Sequence, residues 1–299
     1  MIRKRIAVAL AAFVWLSPAW AQSNIIGSGI TGDVKAASGA CSQATNFLAR
    51  TSGLSTTERN AYITMICGLV TDGIITGSMS GSGSGATACG SLLDAFYILA
   101  TNTTTTAALN LCSTTYSLTT TGSPTFTADQ GYVGAASAHL DTGFNPTTAT
   151  SPNMASNNAS VWGWSLGTFT ASSDYGYLVG LADSSNDLRL YPHFSDNNFY
   201  FNINSTGFPG GAPQTGSFFG AVRTGATTSI PYQNTTAGTT DTQTQIIANA
   251  DIWLINAGNV GPFANTASFA AFGASLSGAQ EAAFYNRVHV YMQTVAGAP

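Results

Sequence analysis

Arg189, Tyr191 and His193 alternate along one short apolar run, which places all three on one face of a strand. An arginine to neutralise a uronate, beside a tyrosine and a histidine to move its proton, would equip a polysaccharide lyase. A half-exposed surface row accounts for the same spacing without chemistry. Retaining hydrolysis would need two carboxylates about 5 to 5.5 Å apart across the sugar. The only glutamates, Glu58 and Glu281, both sit at helix starts, and no run alternates acidic residues in a catalytic pattern. The glycine-rich stretch Gly77 to Gly85 lacks the lysine of a phosphate loop. His139 and His289 belong by position to a strand start and to the terminal helix. The sequence therefore leans away from an enzyme.

Binding is better represented. Trp162 and Trp164 share a strand face, and Tyr191, His193, Tyr200 and Asn202 could add a polar-aromatic surface on neighbouring strands, with Arg189 among them. Aromatic faces stack on the C–H surfaces of sugars and amides hydrogen-bond their hydroxyls. Filling the interior of a sandwich demands the same large residues. Trp253, between Ile252 and Leu254, cannot be assigned a face. Asp183, Asn186 and Asp187 place hard oxygen ligands in one turn, the chemistry of a calcium site, and an Asx-rich hairpin turn explains them equally.

The surroundings restrict the partners. Of 299 residues only 7% are charged, against about 25% in an ordinary soluble domain. Arg3, Lys4 and Arg5 lie at the N-terminus and Lys35, Arg50, Arg59, Arg189, Arg223 and Arg287 are scattered singly. Nucleic acid is excluded as a partner, since no basic stripe exists to neutralise phosphates. Residues 1–21 read as a cleaved signal peptide: a basic start, an apolar run from Ile6 to Leu16, Pro18, and the small-residue site Ala19-Trp20-Ala21. That run is shorter than the roughly 20 residues of a membrane span, and no later segment reaches that length. The expectation is a secreted, periplasmic or cell-surface protein with six basic and thirteen acidic residues, a formal charge of −7. In an oxidising compartment Cys41, Cys67, Cys89 and Cys112 make two disulfides. Three pairings are open, among them Cys67 with Cys89 across the Gly/Ser loop. No C-x-x-C pair supports zinc.

The elements that must position these residues fall into three stretches. Residues 22–106 form a helical N-terminal portion. Ser55 and Glu58 make a capping box, Tyr62, Met65, Ile66, Leu69 and Val70 follow at helical spacing, and Leu92, Leu93, Phe96, Tyr97 and Ala100 predict a second helix ending near Thr101. From 107 onward, short apolar runs divided by Gly, Asn, Asp and Pro predict strands, including Leu109 to Thr114, Ser160 to Leu166, Gly176 to Ala182, Leu188 to His193, Phe199 to Asn204, Phe218 to Thr224, Gln245 to Ala248, Asp251 to Asn256 and Ser268 to Ser275. The run from 176 to 204 reads as an antiparallel meander. Ser277 and Gln280 open a C-terminal helix whose stripe of Phe284, Val288, Tyr291, Met292 and Val295 should dock on a two-sheet sandwich over 107–299.

The succession Phe47-Leu48-Ala49-Arg50-Thr51-Ser52-Gly53-Leu54, Ala61-Tyr62, Leu92 to Thr101 and Ala107 to Leu111 resembles the N-terminal portion of phage and prophage tail-associated proteins. Ser123 to Tyr132, Leu140 to Pro146 and the closing helix Leu276 to Val295 are similar to later blocks of that group. The resemblance implies a mainly β fold, a concanavalin A-like (laminin-G-like) jelly roll. It also implies a non-catalytic role in glycan adhesion or particle structure. Such tail proteins normally lack a signal peptide, so the chain reads as an exported relative. The expected partners are a surface glycan and a second copy or assembly partner. The rival expectations are a structural component of a phage-derived assembly and a polysaccharide lyase or hydrolase on the same fold.

Overall fold

Ser55 opens a helix because its hydroxyl accepts the Glu58 N–H while the Glu58 carboxylate accepts the Ser55 N–H at 2.8 Å, and Ser277 with Gln280 repeats the device. The computed structural model describes residues 39–81, 88–169, 176–185, 187–205, 212–213 and 217–299. Its helices are α1 (Ser42–Leu48), α2 (Thr56–Thr71), α3 (Thr104–Ala107) and α4 (Gly278–Val295). The strands are β1 (Leu93–Ile98), β2 (Thr119–Thr121), β3 (Thr125–Thr127), β4 (Gly131–Val133), β5 (His139–Asp141), β6 (Ala159–Leu166), β7 (Val179–Leu181), β8 (Leu188–Tyr191), β9 (Asn198–Ile203), β10 (Ala212–Pro213), β11 (Phe218–Gly225), β12 (Thr228–Gln233), β13 (Thr236–Ala237), β14 (Ile252–Leu254) and β15 (Thr266–Gly273). One sheet runs β13-β12-β11-β6-β15-β4-β3, with β1 also against β15, and the other runs β10-β9-β8-β7-β14-β5-β2. All the pairings are antiparallel, so the two-sheet sandwich expected from the sequence is present.

The central strands of the eight-stranded sheet, β1, β6, β11 and β15, are buried on both faces. Phe96, Trp162, Trp164, Phe218, Val222 and Phe269 join one core with the helices, whereas Ala95, Tyr97, Val161, Phe219, Ala221 and Phe272 join a second core with the other sheet. The molecule is thus layered as helices, inner sheet and outer sheet. Alternation between polar and apolar residues vanishes in a strand with no wet face. This corrects the helix expected over Leu92 to Thr101: Leu93–Ile98 is a wholly buried strand paired with β15, Phe96 opposite Ala271. A boundary at 106/107 therefore cuts through the inner sheet. Leu109 to Thr114 is a loop instead of a strand, since Arg50 gathers the carbonyls of Asn110, Leu111 and Ser113 at 2.7 to 2.9 Å. Gln245 to Ala248 makes one isolated bridge, Gln245 with Ser205, and no ladder.

The disulfides are Cys41–Cys67, joining α1 to α2, and Cys89–Cys112, joining the approach to β1 to the loop after α3. The Cys67–Cys89 closure is not formed. Residues 82–85 of the Gly/Ser stretch and the signal segment 1–21 lie outside the described residues. Replacing Cys89 and Cys112 together by serine releases a 23-residue separation and is expected to cost about 3 kcal/mol, read as a shift in urea midpoint.

Two buried carboxyls make stability pH-dependent. Burial raises Glu281, 1% exposed, to about 7. Burial also raises Asp94 to about 6 against the N–H groups of Asn153 and Met154, which donate to its oxygens at 2.7 and 2.9 Å. A carboxyl with a raised folded value stabilises the fold while protonated, and that contribution is lost as pH rises through the folded value. Urea midpoints are expected to fall as pH rises from about 4, the Asp94 part being complete near 6 and the Glu281 part near 7, and Glu281→Gln to remove the upper part of the slope.

Candidate ligand-binding face

In the outer sheet Leu188, Leu190, Phe199, Phe201, Ile252 and Leu254 point into the core shared with the inner sheet. Strand alternation therefore turns Arg189, Tyr191, Tyr200, Asn202 and Trp253 to the outer side. The β8–β9 register sets Tyr191 opposite Tyr200 and Arg189 opposite Asn202. Tyr177, just before β7, meets the Tyr191 ring edge-on at 4.7 Å; Tyr191 meets Phe194 at 5.2 Å and Phe194 meets Tyr200 at 5.3 Å, again edge-on. Tyr177, Phe194 and Tyr200 are half-buried. Asn197, at φ 65°, lets the hairpin turn tightly enough to bring Phe194 back over the sheet.

The polar partner of this row is Asp196. The Tyr200 hydroxyl donates to its Oδ2 at 2.7 Å, and the amide and backbone N–H of Asn198 donate to its two oxygens at 3.0 and 3.1 Å. Those bonds, Tyr200's above all, hold the exposed carboxyl below the ordinary aspartate range. Arg189 lies buried beneath, bonded to Tyr177, and burial lowers its pKa. A second group lies further along the same side. His139 stacks on Trp253 with ring centres 3.4 Å apart and planes within 6°, and the register sets Asp141 opposite Trp253.

Of the residues expected to bind, Arg189, Tyr191 and Tyr200 come together. His193 leaves them: β8 ends at Tyr191, and the His193 ring turns in to stack on Phe169 at 5.1 Å, which packs on Phe219 and Phe263. Trp162 and Trp164 are also corrected. They face α4, with Trp162 against Phe218 and Phe284 and Trp164 against Tyr285 and His289, and at 0% and 1% exposed neither indole offers a face to a sugar. Asp183 accepts the N–H of Ser185 at 2.9 Å, an ordinary Asx turn, and burial raises Asp187. Asn186 lies outside the described residues. Among the described residues no three His, Cys, Asp or Glu side chains gather as a metal group.

Sequence reasoning missed Phe194 and Asp196 because they sit beyond strand ends, where alternation has no meaning, and Tyr177 because the strand expected over Gly176 to Ala182 forms only over Val179–Leu181. The polar loop Ser195-Asp196-Asn197-Asn198 announces a turn and nothing about which ring it folds back.

No protein-family model and none of the curated proteins matches the chain. Solved structures resemble it weakly. Domain 4 of a GH43 extracellular arabinanase from Geobacillus stearothermophilus, determined in complex with arabinotriose, is 14% identical with a TM-score of 0.46 over 64% of this chain and 98% of that one. A Trypanosoma rangeli sialidase is 9% identical with a TM-score of 0.48 over 79% of this chain and 40% of that one. The binding domain of botulinum neurotoxin serotype D is 9% identical with a TM-score of 0.46, and the chain spans about half its length, 51%. These are likenesses of β architecture at identities too low to carry function.

Proposed function

We propose that the chain is an exported, non-catalytic carbohydrate-binding protein whose outer sheet face holds a glycan across Tyr177, Phe194 and Tyr200. The observation that carries this reading is the edge-to-face row in which buried Tyr191 links the half-buried rings of Tyr177, Phe194 and Tyr200 beside an ionised Asp196. Rings of this kind stack on pyranose or furanose C–H faces, and carboxylate oxygens accept from sugar hydroxyls. Export accords with two disulfides and with the N-terminal signal pattern. Among the described residues no helix is long and apolar enough to cross a membrane. The test is calorimetric titration of the mature protein against a polysaccharide panel, with sugar analysis of the mixture afterwards. Phe194→Ala is expected to weaken binding roughly tenfold, about 1.4 kcal/mol, with the melting temperature little changed. Shortened or unsaturated products would replace this reading with an enzyme. Silence across the panel would favour the assembly role implied by the tail-protein resemblance.

A further inference from the structure

The charge deficit is unevenly distributed. Between Arg59 and Arg287 the sequence holds only two cations, Arg189 and Arg223, and these are 2% and 0% exposed. Arg223 donates through Nε to the Ile203 carbonyl at 2.6 Å and through Nη1 to the carbonyls of Gly225, Ala226 and Gln243 at 3.1 to 3.2 Å. Its Nε and Nη1 are turned to the main chain, and Nη2 is buried with no partner. Arg189 lies under the ring row, bonded to Tyr177. Arg50 is likewise held by carbonyls, Arg287 is paired with Asp72 at 2.8 Å, and Arg59 belongs to α2, across the inner sheet from the candidate face. Asp141, Asp183, Asp187, Asp196 and Asp251, in contrast, all belong to the outer sheet or its connecting loops.

A carboxylate or sulfate on a ligand is recognised by a fixed guanidinium or ammonium, best in a forked geometry. Among the described residues this face exposes none, its one guanidinium, Arg189, being buried beneath the rings, and it sets an exposed carboxylate against them. We infer that the site takes glycans built from uncharged sugars, bound through hydroxyls and C–H faces, and rejects uronate, sialyl and sulfated chains. The inference rests on the reading of this face as a glycan site. Rejection is electrostatic at close range: an anionic substituent within about 5 Å of Asp196 would meet like charge with no counterion to offset it.

The test titrates the full mature chain with galactan, xylan, mannan and dextran as neutral probes. Polygalacturonate, hyaluronate and heparin are the anionic probes, each measured in low and high salt with and without chelator. The expected result is saturable binding to at least one neutral polymer and at least tenfold weaker binding to every anionic one. Comparable binding to an anionic polymer would overturn the inference and leave the glycan reading standing. Its disappearance with chelator would overturn it equally, with a bridging cation as the cause. Silence toward both sets would overturn the glycan reading itself. Asp196→Lys is expected to narrow the discrimination against polygalacturonate at least tenfold while melting as the parent does. An unchanged ratio in that folded variant would overturn the role given to Asp196.

Discussion

Trp162→Ala is expected to destabilise the protein by about 3–5 kcal/mol while leaving glycan binding by the folded fraction intact. The ring is wholly buried between the inner sheet and α4, 5.4 Å from Phe218, 5.7 Å from Tyr232 and 6.2 Å from Phe284. It lies flat on Gly220, where an added β-carbon would overlap the indole. Truncation empties a space that a strand on one side and a capped helix on the other are poorly able to close, so the cavity cost adds to the lost burial. Gly220→Ala attacks the same contact from beneath and is expected to lower the melting temperature by displacing the ring. A urea midpoint for Trp162→Ala close to that of the parent would mean that α4 does not rest on this ring. Loss of binding without loss of stability would return Trp162 to the ligand.

Arg223→Met is expected to cost a similar amount, about 3–5 kcal/mol, for a different reason. The guanidinium bonds the end of β9, the β11–β12 turn and the Gln243 carbonyl, three chain segments that have no continuous ladder between them. Methionine fills the volume but takes the guanidinium donors from the buried Ile203 carbonyl and the half-buried Gly225 and Gln243 carbonyls, while Ala226 keeps the Gln245 N–H; an unmet buried carbonyl costs about 1–3 kcal/mol. Arg223→Lys is expected to recover little of the loss, because one ammonium cannot span the fork of positions that Nε and Nη1 serve. Hydrogen exchange should quicken first around the β11–β12 turn. A lysine variant as stable as the parent would show that charge alone matters there.

The contrast between these two positions explains what was readable in the sequence. Helix starts are local: Ser55 with Glu58 and Ser277 with Gln280 declare themselves within four residues, and both are where the pattern puts them. The β7–β8–β9 meander was legible for the same reason, its turns being written in Asp, Ser and Asn. Leu93–Ile98 was not, since whether LDAFYI coils or extends is decided by β15, far along the chain. The identity of the wet face was equally hidden. Trp162 and Tyr200 both look like sugar-stacking residues, and only the presence of α4 over one sheet and of the Phe194 turn over the other separates a core ring from an accessible one. The cysteine pairing followed the helices and the β1 approach, neither of which spacing alone can place.

The position of β1 has a kinetic consequence. Its partner is β15, and the helical face of the resulting sheet is closed by α4. A chain emerging from its N-terminus can form α2 and both disulfides once Cys112 is out, yet Phe96 must wait for Ala271 before its edge of the sheet exists. Loop closure over such a separation is slow, and topologies dominated by distant pairs fold on the slower end of the scale for their size. The aromatic undersides of β1 and β6 are therefore the surfaces most exposed to misassociation during folding, and they are the surfaces that a folding helper would need to shield until β15 and α4 arrive.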